Sequence, residues 1–274
     1  MINKELSILI IAYDGYSDIW KDCVKLLQMN WPDCSHRILF INNEKDISFD
    51  GVEVVHAGRD AEWSKKVQLG LELSNTKYVC ILLEDFLVGD RIDNQVIQDT
   101  IKYIDKHGIR YYKTVNMSRA GKNRDPVYDN KNYLHIIPAS DEYGISMQAA
   151  IWERNYLTAL VGKENYNAWQ FEFDRVNEAK GHDDSPNPGC VFDDRNIFKL
   201  QHGIIQGKYL PGTIRYFKKR GITLNVQREI MSYDSYYRYK GISLVKSMIP
   251  RKRRDAVKRL MEKLGVKFVS TTRK

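Results

Sequence analysis

Apolar residues along this chain alternate with short polar breaks in a rhythm that separates strands from helices. Residues 6–12 (LSILIIA) form a nearly continuous apolar run ending at Tyr13-Asp14-Gly15, the pattern of a parallel strand buried on both faces that opens into a loop. Ile19, Trp20, Cys23, Leu26 and Leu27 then recur at helical spacing, and Trp31-Pro32 closes that helix. Strands are predicted over 37–41, ending at Asn42-Asn43-Glu44, and over 52–56. A helix follows through Val67, Leu69, Leu71 and Leu73, and then a second buried strand over 77–83 (KYVCILL) that stops at Glu84-Asp85.

Further along, the pattern predicts a helix over 92–107, a strand over 110–115 and helices over 151–161 and 168–179. The stretch 116–141 is polar, broken by Gly121, Pro126 and Pro138, and reads as an irregular, substrate-facing loop region. Residues 181–189 (GHDDSPNPG) read as a loop, and Asp193-Asp194 as solvated loop carboxylates. Alternating strands and helices predict an α/β, Rossmann-like fold: a mostly parallel sheet flanked by helices, with ligands at the carboxyl ends of the strands. Asp14, Asn43 and Glu84-Asp85 all fall at that edge.

Length and charge refine the picture. With 274 residues, the chain has room for one large α/β domain, placed at 1–220, and an appendage at 221–274. Residues 215–274 hold 18 Lys and Arg against 4 Asp and Glu, so the net charge of +8 belongs to the tail and the remainder is net acidic. Within 244–264, Leu244, Val245, Met248, Ile249, Ala256, Val257, Leu260, Met261 and Leu264 recur at helical spacing among basic residues. This pattern predicts a basic helical extension that either rests on an anionic membrane surface or packs on the domain, and Tyr233, Tyr236, Tyr237 and Tyr239 precede it. A nucleic-acid partner is not expected, because no recognised module or basic face interleaved with aromatics is present. Neither a signal-peptide core nor a membrane-length apolar run appears, so the expected location is cytoplasmic, peripheral on the inner face of the cell membrane. Cys23, Cys34, Cys80 and Cys190 are scattered without a C-x-x-C pair and read as packing or surface thiols.

For chemistry, the turn after the first strand lacks the glycines of a dinucleotide site, and no Walker-type lysine loop exists. A carboxylate at the end of a central strand can instead hold a divalent cation that neutralises a leaving diphosphate, and Glu84-Asp85 stands there. Trp63-Ser64-Lys65, the strand 77–83 with Glu84-Asp85-Phe86-Leu87, Trp152, Asn167-Ala168-Trp169-Gln170-Phe171-Glu172 and His202-Gly203-Ile204-Ile205-Gln206-Gly207-Lys208 together resemble GT-A glycosyltransferases of bacterial capsular polysaccharide and O-antigen synthesis. The resemblance spans about residues 5–220.

It implies transfer of a sugar from a nucleotide-diphosphate donor, a UDP-sugar, to a hydroxyl of a surface-glycan acceptor, either free or lipid-linked. Glu172 would be the base of an inverting reaction, with Trp169 on the same helical face as the acceptor floor. Asp85 and His202 would bind Mn2+ or Mg2+, Glu84 the metal or ribose, Asp14 and Asn43 uracil and ribose, and Lys65 and Lys208 the donor. The triplet Leu83-Glu84-Asp85 departs from the family's Asp-x-Asp at its first position. That departure leaves a second reading open, a catalytically silent glycan-binding or scaffolding protein with a transferase fold.

Overall fold

A computed structural model describes residues 3–115 and 125–248. In chain order its strands are β1 (Asn3–Ile11), β2 (His36–Asn42), β3 (Glu53–His56), β4 (Tyr78–Leu83), β5 (Phe86–Val88), β6 (Tyr111–Lys113), β7 (Val127–Tyr128), β8 (Lys131–Pro138), β9 (Ala150–Glu153), β10 (Pro186–Asp193), β11 (Leu200–His202), β12 (Ile204–Ile205) and β13 (Lys208–Tyr209). The helices are α1 (Ser17–Asn30), α2 (Trp63–Leu73), α3 (Asn94–His107), α4 (Arg154–Val161), α5 (Ala168–Lys180), α6 (Pro211–Lys218) and α7 (Tyr233–Met248).

Nine strands form one sheet in the order β3-β2-β1-β4-β9-β6-β10-β8-β7. β3, β2, β1 and β4 are parallel neighbours, and β6 is parallel to β10, so the sheet is mostly parallel, as expected. Its apolar runs are continuous because helices cover both faces. Ile8, Ile10, Phe40, Cys80 and Leu82 pack with α1 and α3 in one core, while the alternate residues Leu9, Ile11, Leu39, Val79 and Ile81 pack with α2, α4 and Phe171 of α5 in the other. On α2, a Cβ at Gly70 would stand 2.6 Å from Ile41 Cδ1 and 3.0 Å from Leu9 Cδ1, so the missing side chain lets this helix lie against the sheet.

Three segments differ from expectation. β9 occupies the start of the predicted helix 151–161 and runs antiparallel between β4 and β6; its apolar Ala150-Ile151-Trp152 suits a buried strand as well as a helix turn. Within the stretch read as irregular loop, β8 is a sheet strand of eight residues, and the loop 181–189 contains the start of β10. Asp193 is not a solvated loop carboxylate. It ends β10 fully buried, accepts a 2.7 Å bond from the Tyr112 hydroxyl and pairs with Arg195 through two guanidinium nitrogens.

The described residues divide into two units, one of 3–115 and 125–231, the other of 232–248. Residues 221–231 belong to the larger one, where Leu224 is buried in the first core and the Asn225 amide donates to Asp22 Oδ2 at 2.6 Å. Helix α7 makes up the second unit, and Tyr233 stacks on Tyr237 within it at a centroid distance of 6.2 Å. Most of the predicted amphipathic stretch, 249–264, lies outside the described residues. All four cysteines are free thiols. Among the described residues, no helix is long and apolar enough to cross a membrane.

Candidate active site

The carboxyl ends of β1, β2 and β4 gather the first group of polar residues. Asp14 lies in a single 3-10 turn after β1 and accepts the backbone N–H groups of Asn43, Glu44 and Lys45 at 2.9, 3.1 and 2.9 Å, so its carboxylate holds the loop after β2. The Asn43 amide donates to the carbonyls of Gly58, Arg59 and Ala61, and its Oδ1 accepts the Lys66 ammonium at 2.7 Å. Both residues expected to read uracil and ribose therefore spend their polar atoms on neighbouring loops.

Glu84 is buried at the end of β4 and accepts the Tyr13 amide at 3.0 Å. Burial and the adjacent Asp85 charge push its carboxyl up to about 8. Lys65 points elsewhere, donating to Gln68 at 2.9 Å and to the Lys163 carbonyl at 2.7 Å.

Asp85 and His202 come together. The pairing of β5 with β11 sets His202 opposite Phe86, and His202 Nε2 reaches Asp85 Oδ2 at 3.2 Å. The Gly203 amide donates to the Asp85 carbonyl at 2.8 Å, and a Cβ at that glycine would stand 3.0 Å from the same oxygen. A side chain at Gly203 would press on that carbonyl, and glycine leaves the contact unstrained.

Asp85 Oδ1 is buried and, among the described residues, has no hydrogen-bond partner. Among the described residues no group of three His, Cys, Asp or Glu side chains could enclose a metal. A carboxylate and an imidazole can contribute two positions to a divalent cation whose other positions are filled by water or phosphate oxygens. Lys208 stands apart on the β12–β13 hairpin, paired with Glu229 at 2.8 Å.

Glu172 lies at the same edge, farther across the sheet. Ala150, the first residue of β9, is paired with Ile81 of β4 and with Lys113 of β6, so the segment before it sits beyond the carboxyl ends of both strands. From that segment the Met147 amide donates to Glu172 Oε1 at 3.4 Å, a long bond that leaves most of the carboxylate's accepting capacity open. Burial pushes the Glu172 carboxyl up, while the buried Lys113 ammonium pulls it back.

Phe171 anchors α5 by packing on Trp63 at 5.0 Å and Trp152 at 6.4 Å, which turns the following Glu172 toward the rim. Trp169 and Phe173, one helical turn apart on the helix that carries Glu172, are 56% and 54% exposed, and desolvation and the Glu172 charge push the Tyr143 hydroxyl up. Glu172 thus lies beyond the start of β9, the strand that separates β4, which Asp85 follows, from β6.

Sequence reasoning missed four residues of this edge: Tyr13, Lys66, Lys113 and Tyr143. A signal for Lys66 existed. It falls with Trp63, Val67, Gly70 and Leu71 on the buried face of α2, where a lysine is anomalous.

Comparison with known proteins gives likeness of structure only. No family model matches the chain, and no curated protein matches it by sequence. S. aureus TarS overlaps it with a TM-score of 0.43 at 10% identity, over 69% of this chain and 36% of TarS. A fragment of TarS, residues 1–349, in complex with UDP gives 0.43 at 12%, with this chain spanning 60% of the fragment. A cytidylyltransferase from Leptospira borgpetersenii gives 0.42 at 12% identity over 73% of this chain and 82% of that one. A mutant Drosophila β1,4-galactosyltransferase 7 with manganese, UDP-Gal and xylobiose gives 0.36 at 11% over 87% and 80%. At these scores the overlaps are partial, and the reading of the site rests on its own residues.

Proposed function

We propose that this chain is a GT-A glycosyltransferase that moves a sugar from a nucleoside-diphosphate donor, a UDP-sugar, to a hydroxyl of a surface-glycan acceptor with inversion. One observation carries the reading. A largely uncommitted carboxylate, Glu172, stands at the same sheet edge as the Asp85–His202 pair and is flanked by exposed aromatic rings.

In this assignment Glu172 takes the proton of the acceptor hydroxyl as that oxygen attacks the anomeric carbon, and the bond from that carbon to the phosphate oxygen breaks on the opposite face, releasing the nucleoside diphosphate. Asp85 and His202 would hold Mn2+ or Mg2+, which when bound supplies charge neutralisation of the diphosphate. Trp169 presents an apolar face on which the acceptor ring stacks, and its neighbour Phe173 extends that face. Inside this proposal Asp14 and Asn43 shape the nucleoside site through the loops they hold.

The experiment is a screen of nucleotide sugars for transfer, hydrolysis or thermal stabilisation with and without manganese. The proposal expects one donor to respond and manganese to increase that response. A silent glycan-binding scaffold is the second reading, favoured by Leu83 in place of the first carboxylate; no response to any donor would decide for it.

Placement at an anionic membrane surface belongs to the same proposal and rests on the basic composition of 215–274. Deleting 244–274 should release the protein from anionic vesicles, and undiminished binding by the shortened chain would refute it.

A further inference from the structure

Lys66 is 3% exposed, on the face of α2 that packs against the sheet. Its ammonium donates to the Ala12 carbonyl at 2.8 Å and to Asn43 Oδ1 at 2.7 Å, bridging the ends of β1 and β2. Through Asn43 the bridge continues to the carbonyls of Gly58, Arg59 and Ala61 after β3. Asp14 closes the loop after β2 from the other side, and Glu84 at the end of β4 holds the Tyr13 amide. The same ammonium lies 5.6 Å from the centroid of the Tyr13 ring, which is 57% exposed.

These bonds join four strand ends around a shallow hollow lined by Asp14, Glu44, Lys45 and Arg59. An ammonium in such a place is costly, since removing an ion from water costs several kcal/mol before its partners offset it. A methionine on the same helix face would avoid that cost but leave the Ala12 carbonyl and Asn43 Oδ1 without their donor, so the place of the lysine is tied to holding these two strand ends together.

We propose that Lys66 is a positioning residue for the nucleoside half of the donor: it fixes the Tyr13 ring and the loops after β2 and β3 as one preformed frame for base and ribose. The inference rests on the functional reading above and assigns Lys66 no contact with the diphosphate. Tyr13 is the group through which it acts, with the exposed ring available to stack on a base and the ammonium below it limiting its tilt.

The test is titration calorimetry of the full chain with UDP, CDP, GDP and ADP, repeated with the monophosphate of whichever binds. Lys66→Met should weaken diphosphate and monophosphate by the same factor, about tenfold, because the loss lies in the nucleoside frame. Tyr13→Ala, an exposed change, should weaken both as well. The double variant should lose no more than the larger single one, the coupling expected when one residue acts through the other.

Thermal unfolding of each variant checks that the fold persists. Lys66→Gln, which keeps a donor for Asn43, is the second variant if Lys66→Met does not fold. Unchanged affinity in the folded Lys66 variants, a loss confined to the diphosphate, or strictly additive losses with Tyr13→Ala would overturn the inference. If the wild type binds none of the four diphosphates, the functional reading falls and takes this inference with it; wild-type binding that Lys66→Met leaves unchanged removes this inference alone.

Discussion

The two halves of the carboxyl edge treat their polar groups in opposite ways. At the ends of β1 to β4, Asp14 accepts three amides, Asn43 donates to three carbonyls and Lys66 bridges two strand ends. Beyond β9, Glu172 has a single 3.4 Å bond from Met147 and two exposed aromatic neighbours. Groups engaged by one another form a rigid frame suited to binding a preformed shape, because little ordering remains to be done when the ligand arrives. A half-buried carboxylate with open lone pairs and a raised proton affinity suits proton transfer. Under the proposed function, this contrast gives binding to the first half and proton transfer to the second.

The largest expected effect lies on the open side. Glu172→Gln should reduce transfer by roughly 10²- to 10⁴-fold, the range of a lost general base, with donor affinity in calorimetry unchanged. The pH dependence follows from the same group. The base form is the carboxylate, and burial raises its proton affinity, so activity should fall as pH drops through a value above the ordinary carboxylate range. That acid limb should vanish from the residual rate of the variant.

Stability runs the other way. A carboxyl raised on folding binds its proton more tightly in the native state, so its stabilising contribution is present at low pH and is lost as pH rises through the folded value. Glu172→Gln should therefore melt slightly higher than wild type at neutral pH. Full turnover with an unaltered pH profile would erase the proposed division of labour.

A smaller effect is expected between the two halves, at Asp85. Asp85→Asn keeps the size of the side chain and its hydrogen bonding to His202 but removes the anionic donor set against the buried, unpartnered Oδ1. Manganese should then no longer strengthen nucleoside-diphosphate binding, a loss of about tenfold or more, while metal-free affinity stays near wild type. A manganese response that survives in Asp85→Asn would separate this pair from the metal and return it to the structural network.

How far the sequence reached follows the same division. The strands β1, β2 and β4 were legible because burial on both faces makes their apolar runs continuous, and the polar residues that end them marked the ligand edge. Whether those polar residues faced a ligand or one another was not legible. Asp14 and Asn43 look the same in sequence whether they meet a nucleoside or, as here, backbone amides and backbone carbonyls respectively, and only the fold brings the loops after β2 and β3 within reach.

Lys65 and Lys66 show how fine the distinction is. One residue of helix, about 100° of rotation, separates an exposed lysine bonded to Gln68 from a buried one that joins two strands. β9 was read as helix because three apolar residues in a row fit either state, and β10 was hidden by Pro186 and Pro188, residues that usually mark loops.

The smallest expected effect tests whether the open side is shaped for an acceptor at all. Trp169 is 56% exposed, whereas Trp20, Trp31, Trp63 and Trp152 are at most 7% exposed, so it alone among the tryptophans meets solvent broadly. Removing its ring takes away a stacking surface and leaves the core intact, so Trp169→Ala should raise the acceptor KM by about tenfold. Donor affinity and melting temperature should stay the same, and kcat at saturating acceptor should be nearly so, because Glu172 keeps its place on a helix anchored by Phe171. A fall in kcat with KM unchanged would mean that the indole acts on the reacting geometry, and the boundary between binding and chemistry would then run through α5 instead of along β9.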